Sequence, residues 1–308
     1  MKIGYFGSPE ISARLLSAIA EKHEIVFVVS NPDKPRGREG TPQPTAVSEL
    51  ALSRGFSLYR PQTLKDGLTD AHLASHNADA FVIFAYGRLL PRATFDIAPG
   101  GCFNLHASLL PELRGASPIQ SALLLGKSKT GWTFQEITEE LDAGDVLGQI
   151  VVPIDPADRT SELTERLMPA GISLTLEVLA DLKRCREKAV KQESSQATFC
   201  SKISKAAARI SWDSPAESIV NAVRGYFPSP VAWSTLDGKT LKILRANQVE
   251  MTLKNAAPGR IWTEKDRFFV STGRGTIEIL ELQMEGKKAL TTSEFLRGFR
   301  FREGMALV

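Results

Sequence analysis

Cysteine is scarce in this chain. Cys102, Cys185 and Cys200 are the only three in 308 residues, odd in number and without CxxC or metal-type spacing, which argues against a disulfide framework and fits a reducing compartment. Cys102 reads as a small core residue. Histidine is equally sparse. His72 and His76 are four apart on a predicted helix, but no third ligand or HExxH accompanies them, so no metal is expected; His23 reads as a loop residue. No apolar run approaches the roughly 18 to 20 residues of a membrane span. Met1 leads straight into a strand-like pattern, without the charged segment, apolar stretch and cleavage site of a leader. A soluble, cytoplasmic protein with no membrane partner is expected. Charge of one sign is lacking too: 38 Lys and Arg face 35 Asp and Glu, a net +3. GYFGSP at the first turn is not GxGxxG, and GxxxxGK[ST] does not occur, so neither a classical dinucleotide site nor a phosphate-cradling loop is supported. A GxSxG nucleophile elbow is also missing.

The first 150 residues alternate strand-like and helix-like segments. KIGYFG (2–7), EIVFVVS (24–30), ADAFVIFA (78–85) and CFNLHA (102–107) are β-branched and aromatic runs of strand length. Between them, Ile11, Leu15, Ala18 and Ile19 recur at helical spacing. The alternation predicts an α/β, doubly wound, mostly parallel Rossmann-like domain, in which ligands gather at the carboxyl ends of the strands. Residues 160–185 carry a helical pattern, and the polar stretch after them reads as a linker. Beyond it come a helix-like DSPAESIVNAVRGY and strand candidates VAWSTL, LKILRANQV, GRIWTE, RFFVST and TIEILELQ, with Asp237-Gly238 a strong hairpin signal. These predict a small, OB-like β-barrel. The expected division is 1–188, 189–204 and 205–308. Residues 205–308 hold 16 Lys and Arg against 11 Asp and Glu, while 1–204 hold 22 against 24, so the C-terminal third is the basic one. Trp132, Trp212, Trp233 and Trp262 read as packing residues.

The stretch FNLHASLLP (103–111) falls at a strand end. Asn104 and His106 are two apart, so on an extended strand both project from one face. Further on, EELDAGDVLG offers Asp142 and Asp145 around a glycine; a carboxylate beside His106 would favour its protonated form and fix its orientation. Ser108 and the cysteines lack nucleophile signatures, so acid/base chemistry on a carbonyl fits better than a covalent mechanism. On spacing alone, a hydrogen-bonded strand end and a catalytic pair remain equally readable.

The runs FNLHASLLPELRGASPIQSALLLG and KTGWTFQEITEELDAGDVL resemble the folate-dependent formyltransferases, whose pattern is Asn-x-His, Ser-Leu-Leu-Pro, Arg-Gly and a distant Leu-Asp-x-Gly-Asp. The resemblance continues through FGSP, NPDKPRGR (31–38), AYGRLLP (85–91), SKISKAAARISW (201–212), NAAPG (255–259) and GKKAL (286–290). Within the superfamily it is similar to the branch that formylates methionine carried on initiator tRNA. The resemblance implies that Asn104 donates to the formyl oxygen, His106 exchanges a proton, and Asp142 orients the imidazole. It implies that 10-formyltetrahydrofolate is held by Ser108, Leu109, Leu110 and Pro111 and by Ala85, Tyr86 and Gly87, with no metal. It further implies tRNA contacts by Lys34, Arg36 and Arg38 in NPDKPRGREGTPQP (31–44), a Pro- and Gly-rich loop without helix or strand pattern. A monomer is expected. The alternative is a small-molecule acceptor, an amino-sugar nucleotide or glycinamide ribonucleotide. Where the family commonly has a basic residue and an aromatic before Arg-Gly, this chain has Glu112 and Leu113.

Overall fold

The computed structural model describes residues 1–36, 40–65, 67–251, 256–302 and 304–308. Two units emerge. One comprises 1–118, 131–152 and 166–200, the other 119–130, 153–165 and 201–308.

The first unit is built on strands β1 (Lys2–Gly7), β2 (Glu24–Val29), β3 (Leu58–Tyr59), β4 (Ala80–Phe84), β5 (Cys102–His106), β6 (Lys129–Glu136) and β7 (Val146–Pro153). They form one sheet in the order β7-β6-β5-β4-β1-β2-β3. The β1, β2, β3, β4 and β5 pairings are parallel, and β6 joins β5 antiparallel. The mostly parallel, doubly wound arrangement is the one the strand–helix alternation predicts. Apolar side chains fill both faces of the parallel strands, because helices cover them on both sides. On one face Phe6, Phe27, Phe81, Tyr86 and Cys102 pack together, with Phe27 edge-on to Phe6 and Phe81 at centroid distances of 5.9 and 5.3 Å. The helix Glu10–Ala20 starts directly after Pro9 and buries Leu15 and Ile19 of the predicted stripe, together with Leu16, while Ile11 and Ala18 are half-buried. The helical pattern at 160–185 becomes two helices, Thr160–Ala180 and Leu182–Glu187.

One local expectation is corrected. The segment 31–44 is not without strand structure: Lys34–Arg36 pairs antiparallel with Thr41–Gln43, and Pro35 lies opposite Pro42. Proline hides this from a strand search because it cannot donate to a ladder; opposite each other at a non-hydrogen-bonded pair, the two prolines need not donate.

In the second unit, β8 (Trp233–Leu236), β9 (Lys239–Val249), β10 (Ile261–Glu264), β11 (Arg267–Ser271), β12 (Thr276–Met284) and β13 (Leu290–Thr291) form an antiparallel sheet. Its order is β8-β9-β12-β11-β10, with β13 against β12. Asp237 and Gly238 make the β8–β9 turn with φ of 51° and 73°, the left-handed values that a two-residue hairpin requires. Register shifts around Arg245 interrupt the β9–β12 ladder; such bulges bend and twist a long strand. Trp212, Ile219, Leu241, Ile243, Phe268 and Ile279 belong to the core. Among the tryptophans, Trp132 and Trp212 are buried, each donating from its indole, to the Leu167 carbonyl and the Ser234 hydroxyl. Among the described residues no helix is long and apolar enough to cross a membrane.

Phe268 is fully buried, whereas Thr291 caps the helix Thr292–Gly298 from the surface in a reciprocal pair with Glu294. Phe268→Ala is expected to destabilise the second unit by about 3–5 kcal/mol, and Thr291→Ala by about 1 kcal/mol. Denaturant titration of the two variants reads the difference.

Candidate active site

The carboxyl ends of β1, β4 and β5 lie along one edge of the sheet. There the structure brings Asn104, His106 and Asp142 together. Asn104 and His106 share a face of β5, and opposite them on β6 stand Gln135 and Thr133. The turn that follows β6 carries Asp142, whose carboxylate is 11% exposed and collects four neighbours. Its Oδ2 accepts from the Gly115 backbone N–H at 2.9 Å and lies 3.6 Å from His106 Nδ1. Its Oδ1 accepts from Gln135 Nε2 at 3.1 Å and Asn104 Nδ2 at 3.4 Å. A partly buried carboxylate needs donors to replace the water it lost. Its partners are the donors Gly115, Gln135 and Asn104 and, across 3.6 Å, the imidazole.

The other imidazole nitrogen identifies the tautomer. His106 Nε2 lies 2.8 Å from the Leu113 carbonyl oxygen, and a carbonyl can only accept, so Nε2 carries a proton. In the neutral ring the lone pair is therefore on Nδ1, the nitrogen facing Asp142. Three residues at the site other than glycine have left-handed backbones: Ala85 at φ 51°, Leu113 at 58° and Asp142 at 52°. Such conformations cost of order 1–3 kcal/mol each and gather where surrounding structure over-determines them.

The turn after β5 is held from β6 and β7. The peptide bond Leu110–Pro111 is cis. Thr133 Oγ1 donates to the Ser108 carbonyl at 2.7 Å and accepts from the Leu110 N–H at 3.1 Å, while Gln149 Nε2 reaches the Leu110 carbonyl at 2.7 Å. Ser108 is buried and its hydroxyl donates to the Glu112 carbonyl at 2.6 Å, so this serine closes its own turn. Leu110 is buried, and Leu109 and Pro111 are partly exposed.

After β4, Ala85 and Gly87 are exposed but Tyr86 is buried, its ring set against Phe6 at a centroid distance of 5.8 Å. Burial pushes the Tyr86 hydroxyl up. The turn thus presents backbone at the strand end and sends its aromatic into the core. Asn31 ties this turn to the one after β1, donating to Ser8 Oγ at 2.8 Å and the Tyr86 carbonyl at 2.6 Å. Sequence reasoning missed Asn31, Thr133, Gln135 and Gln149. For the two β6 residues a signal existed, since the polar Thr133 and Gln135 alternate with the apolar Trp132 and Phe134.

Lys34 is exposed on the 34–43 hairpin, Arg36 ends its first strand, and Arg38 lies outside the described residues. His72 and His76 meet edge-on with centroids 5.0 Å apart, and among the described residues no cluster could hold a metal ion.

An amide donor, an imidazole and a carboxylate meet at one point. The set can stabilise an oxyanion and move a proton at a carbonyl carbon, with the nucleophile coming from the substrate. Residues 1–179 match the family model described as Formyl transferase, and residues 202–300 match the one described as Formyl transferase, C-terminal domain. The chain is 40% identical over 313 residues to the methionyl-tRNA formyltransferase of Leptospira interrogans, covering 99% of each chain. It is 38% identical over 309 residues to that of Bacillus licheniformis, covering 99% of this chain and 98% of the relative. Among solved structures, HypX from Aquifex aeolicus in complex with tetrahydrofolic acid superposes with TM-score 0.66 at 18% identity, over 99% of this chain and 50% of HypX. The sugar 3N-formyl transferase WlaRD superposes with TM-score 0.66 at 17% identity, over 94% of this chain and 99% of its own.

Gly115, whose N–H binds Asp142, has φ 118°, and a Cβ there would stand 2.2 Å from the Cys200 carbonyl oxygen. Gly87 also has positive φ but open space around it. Gly115→Ala is expected to destabilise the first unit by about 2–4 kcal/mol and Gly87→Ala by about 1 kcal/mol, measured by denaturant unfolding.

Proposed function

Because the chain belongs to the formyl transferase family, we infer that it transfers the formyl group of 10-formyltetrahydrofolate to the α-amino group of methionine on initiator tRNA. The observation that carries this reading is the Asn104–Asp142–His106 arrangement, joined to relatives of that activity aligned over nearly the whole chain. The residues present fit a formyl donor, since the site offers an amide donor and a proton-exchanging imidazole. When bound, the folate supplies the electrophilic formyl carbon and a leaving amine.

The geometry supports a role for each residue. Asn104 Nδ2 is the donor for negative charge developing on the formyl oxygen, an interaction typically contributing about 3–4 kcal/mol to the barrier. His106 Nδ1 takes the proton of the attacking amine and returns it to the departing nitrogen, with Nε2–H held by the Leu113 carbonyl. Asp142 stabilises the imidazolium that forms between those two events. The acceptor needs no enzyme nucleophile, since an α-amine with a pKa of about 8 is partly neutral near neutral pH. Ser108 to Pro111 and the Ala85–Gly87 turn border the same strand ends and are assigned to the folate.

The acceptor's RNA is assigned to the 34–43 hairpin, through Lys34, Arg36 and Arg38, and to the basic C-terminal third, where phosphate contacts are sequence-independent. Lysine and arginine suit an RNA backbone, arginine also through its planar fork.

One assay tests the reading: incubation with 10-formyltetrahydrofolate and either methionyl-tRNA, glycinamide ribonucleotide or an amino-sugar nucleotide. Formyl transfer to methionyl-tRNA is expected, and transfer to a small amine alone would overturn the assignment. His106→Ala is expected to lower turnover by about 10²- to 10⁴-fold while filter-binding affinity for methionyl-tRNA persists. Lys34→Ala is expected to weaken RNA binding and reduce the slope of log K against log salt by about one; an unchanged slope would remove Lys34 from the interface.

A further inference from the structure

Residues 189–204 read as a polar linker in the sequence, and in the structure 190–200 run back across the catalytic centre. Val190 exchanges two backbone hydrogen bonds with Val146, at 2.8 and 2.9 Å. Phe199–Cys200 forms a short parallel ladder with Arg114–Gly115. Thr198 binds this loop from both its backbone and its side chain: its carbonyl accepts from Arg114 N–H at 2.9 Å, and its hydroxyl accepts from Leu113 N–H at 2.9 Å. The two backbone groups that touch the catalytic pair, the Leu113 carbonyl on His106 and the Gly115 N–H on Asp142, are therefore held from this segment.

Gln192 is the residue of the segment whose side chain reaches the Asp142 turn. Its Nε2 lies 2.9 Å from the Asp142 carbonyl oxygen, 2.8 Å from that of Gly144 and 3.1 Å from Gln135 Oε1. Its Oε1 accepts from Nε and Nη2 of the buried Arg114 at 3.1 and 3.0 Å. The orientation of the amide is fixed by its partners. Arg114 can only donate and the carbonyls can only accept, so a flipped amide would face N–H with N–H and oxygen with oxygen. Gln135 in turn donates to Asp142 Oδ1. One side chain thus fixes both the backbone of the carboxylate-bearing turn and the glutamine that orients the carboxylate.

We propose that Gln192 is a positioning residue for formyl transfer, acting through Asp142 and Gln135 to keep the carboxylate aligned with His106 and Asn104. Both properties of its amide are needed. A carboxylate at this position would keep the acceptor for Arg114 but turn an oxygen toward three oxygens of the Asp142 turn. An apolar chain of the same length would remove both sets of bonds. A residue that only stabilised the fold would alter the amount of folded protein and leave turnover per folded molecule intact. A residue that aligns the carboxylate lowers the rate of the bound complex instead.

The role of Gln192 rests on the formyl-transfer reading above. The test therefore uses whichever of the three acceptors the unmodified chain formylates, so a failed acceptor assignment is seen in the unmodified protein before any variant is compared. Gln192→Met and Gln192→Glu are each expected to lower kcat by about 10- to 100-fold, as misplacement by around an ångström does, with both KM values within about 2-fold of the unmodified chain. Each variant is also combined with Asp142→Asn. If Gln192 acts through Asp142, the double variant loses little beyond Asp142→Asn alone. Unchanged kcat in Gln192→Glu, losses that multiply in the double variant, or an effect confined to KM would each overturn the proposal. Should Gln192→Met fold poorly, Gln192→Glu carries the same comparison.

Discussion

The arrangement of this site depends on holding one carboxylate, that of Asp142, still while most of its surface is out of water. A buried, unpaired carboxylate is far too costly to persist charged, so it is either protonated or surrounded by donors. The donors arrive from three parts of the chain: Asn104 from β5, Gln135 from β6 and the Gly115 N–H from the loop between them. Each is satisfied in the same act by which it orients Asp142. Removing the carboxylate leaves buried donors without acceptors, at about 1–3 kcal/mol each, so stability and catalysis draw on the same bonds.

The imidazole is treated the same way. Its Nε2–H is held by a carbonyl, which leaves Nδ1 facing the Asp142 carboxylate. The site therefore does its work by prealigned charge and proton placement, with little to reorganise when the reaction occurs. This also accounts for the absence of a nucleophile signature around Ser108: its hydroxyl is occupied in closing the turn, and the attacking atom belongs to the acceptor.

What the sequence made legible follows physical range. Asn104 and His106 could be paired because side chains in a strand repeat every two residues, while Asp142 was visible only with Asp145, as two aspartates around Gly144, until the family resemblance chose between them. The sheet was visible because its strands are apolar runs separated by helical spacing. Gln192 was not visible, since it meets Arg114 across 78 residues and nothing local distinguishes it from a solvated polar stretch. Gln149 is alike in this: a glutamine in a strand carries no chemical signature until folding places it against a turn. The 34–43 hairpin was hidden for the opposite reason, as its prolines are a local signal against strand that the pairing geometry overrides.

Much of this scaffold is backbone, and that explains how the chain departs from its family's usual pattern without disturbing the centre. Glu112 and Leu113 stand where a basic residue and an aromatic are common. What those positions supply here is a carbonyl each, to Ser108 Oγ and to His106 Nε2, and every residue has a carbonyl. What they demand is conformation: Leu113 must hold φ 58°, and the segment carrying Thr198 and Cys200 braces it there through the Leu113 N–H and the neighbouring ladder. The bonds to Ser108 and His106 thus ask only for backbone at 112 and 113, although the buried Leu113 side chain must still fit the core. The same reasoning places the strict requirements at Gly115, where a Cβ would meet the Cys200 carbonyl, and at the amides of Gln135 and Gln192, whose donors and acceptors no other side chain of that length reproduces.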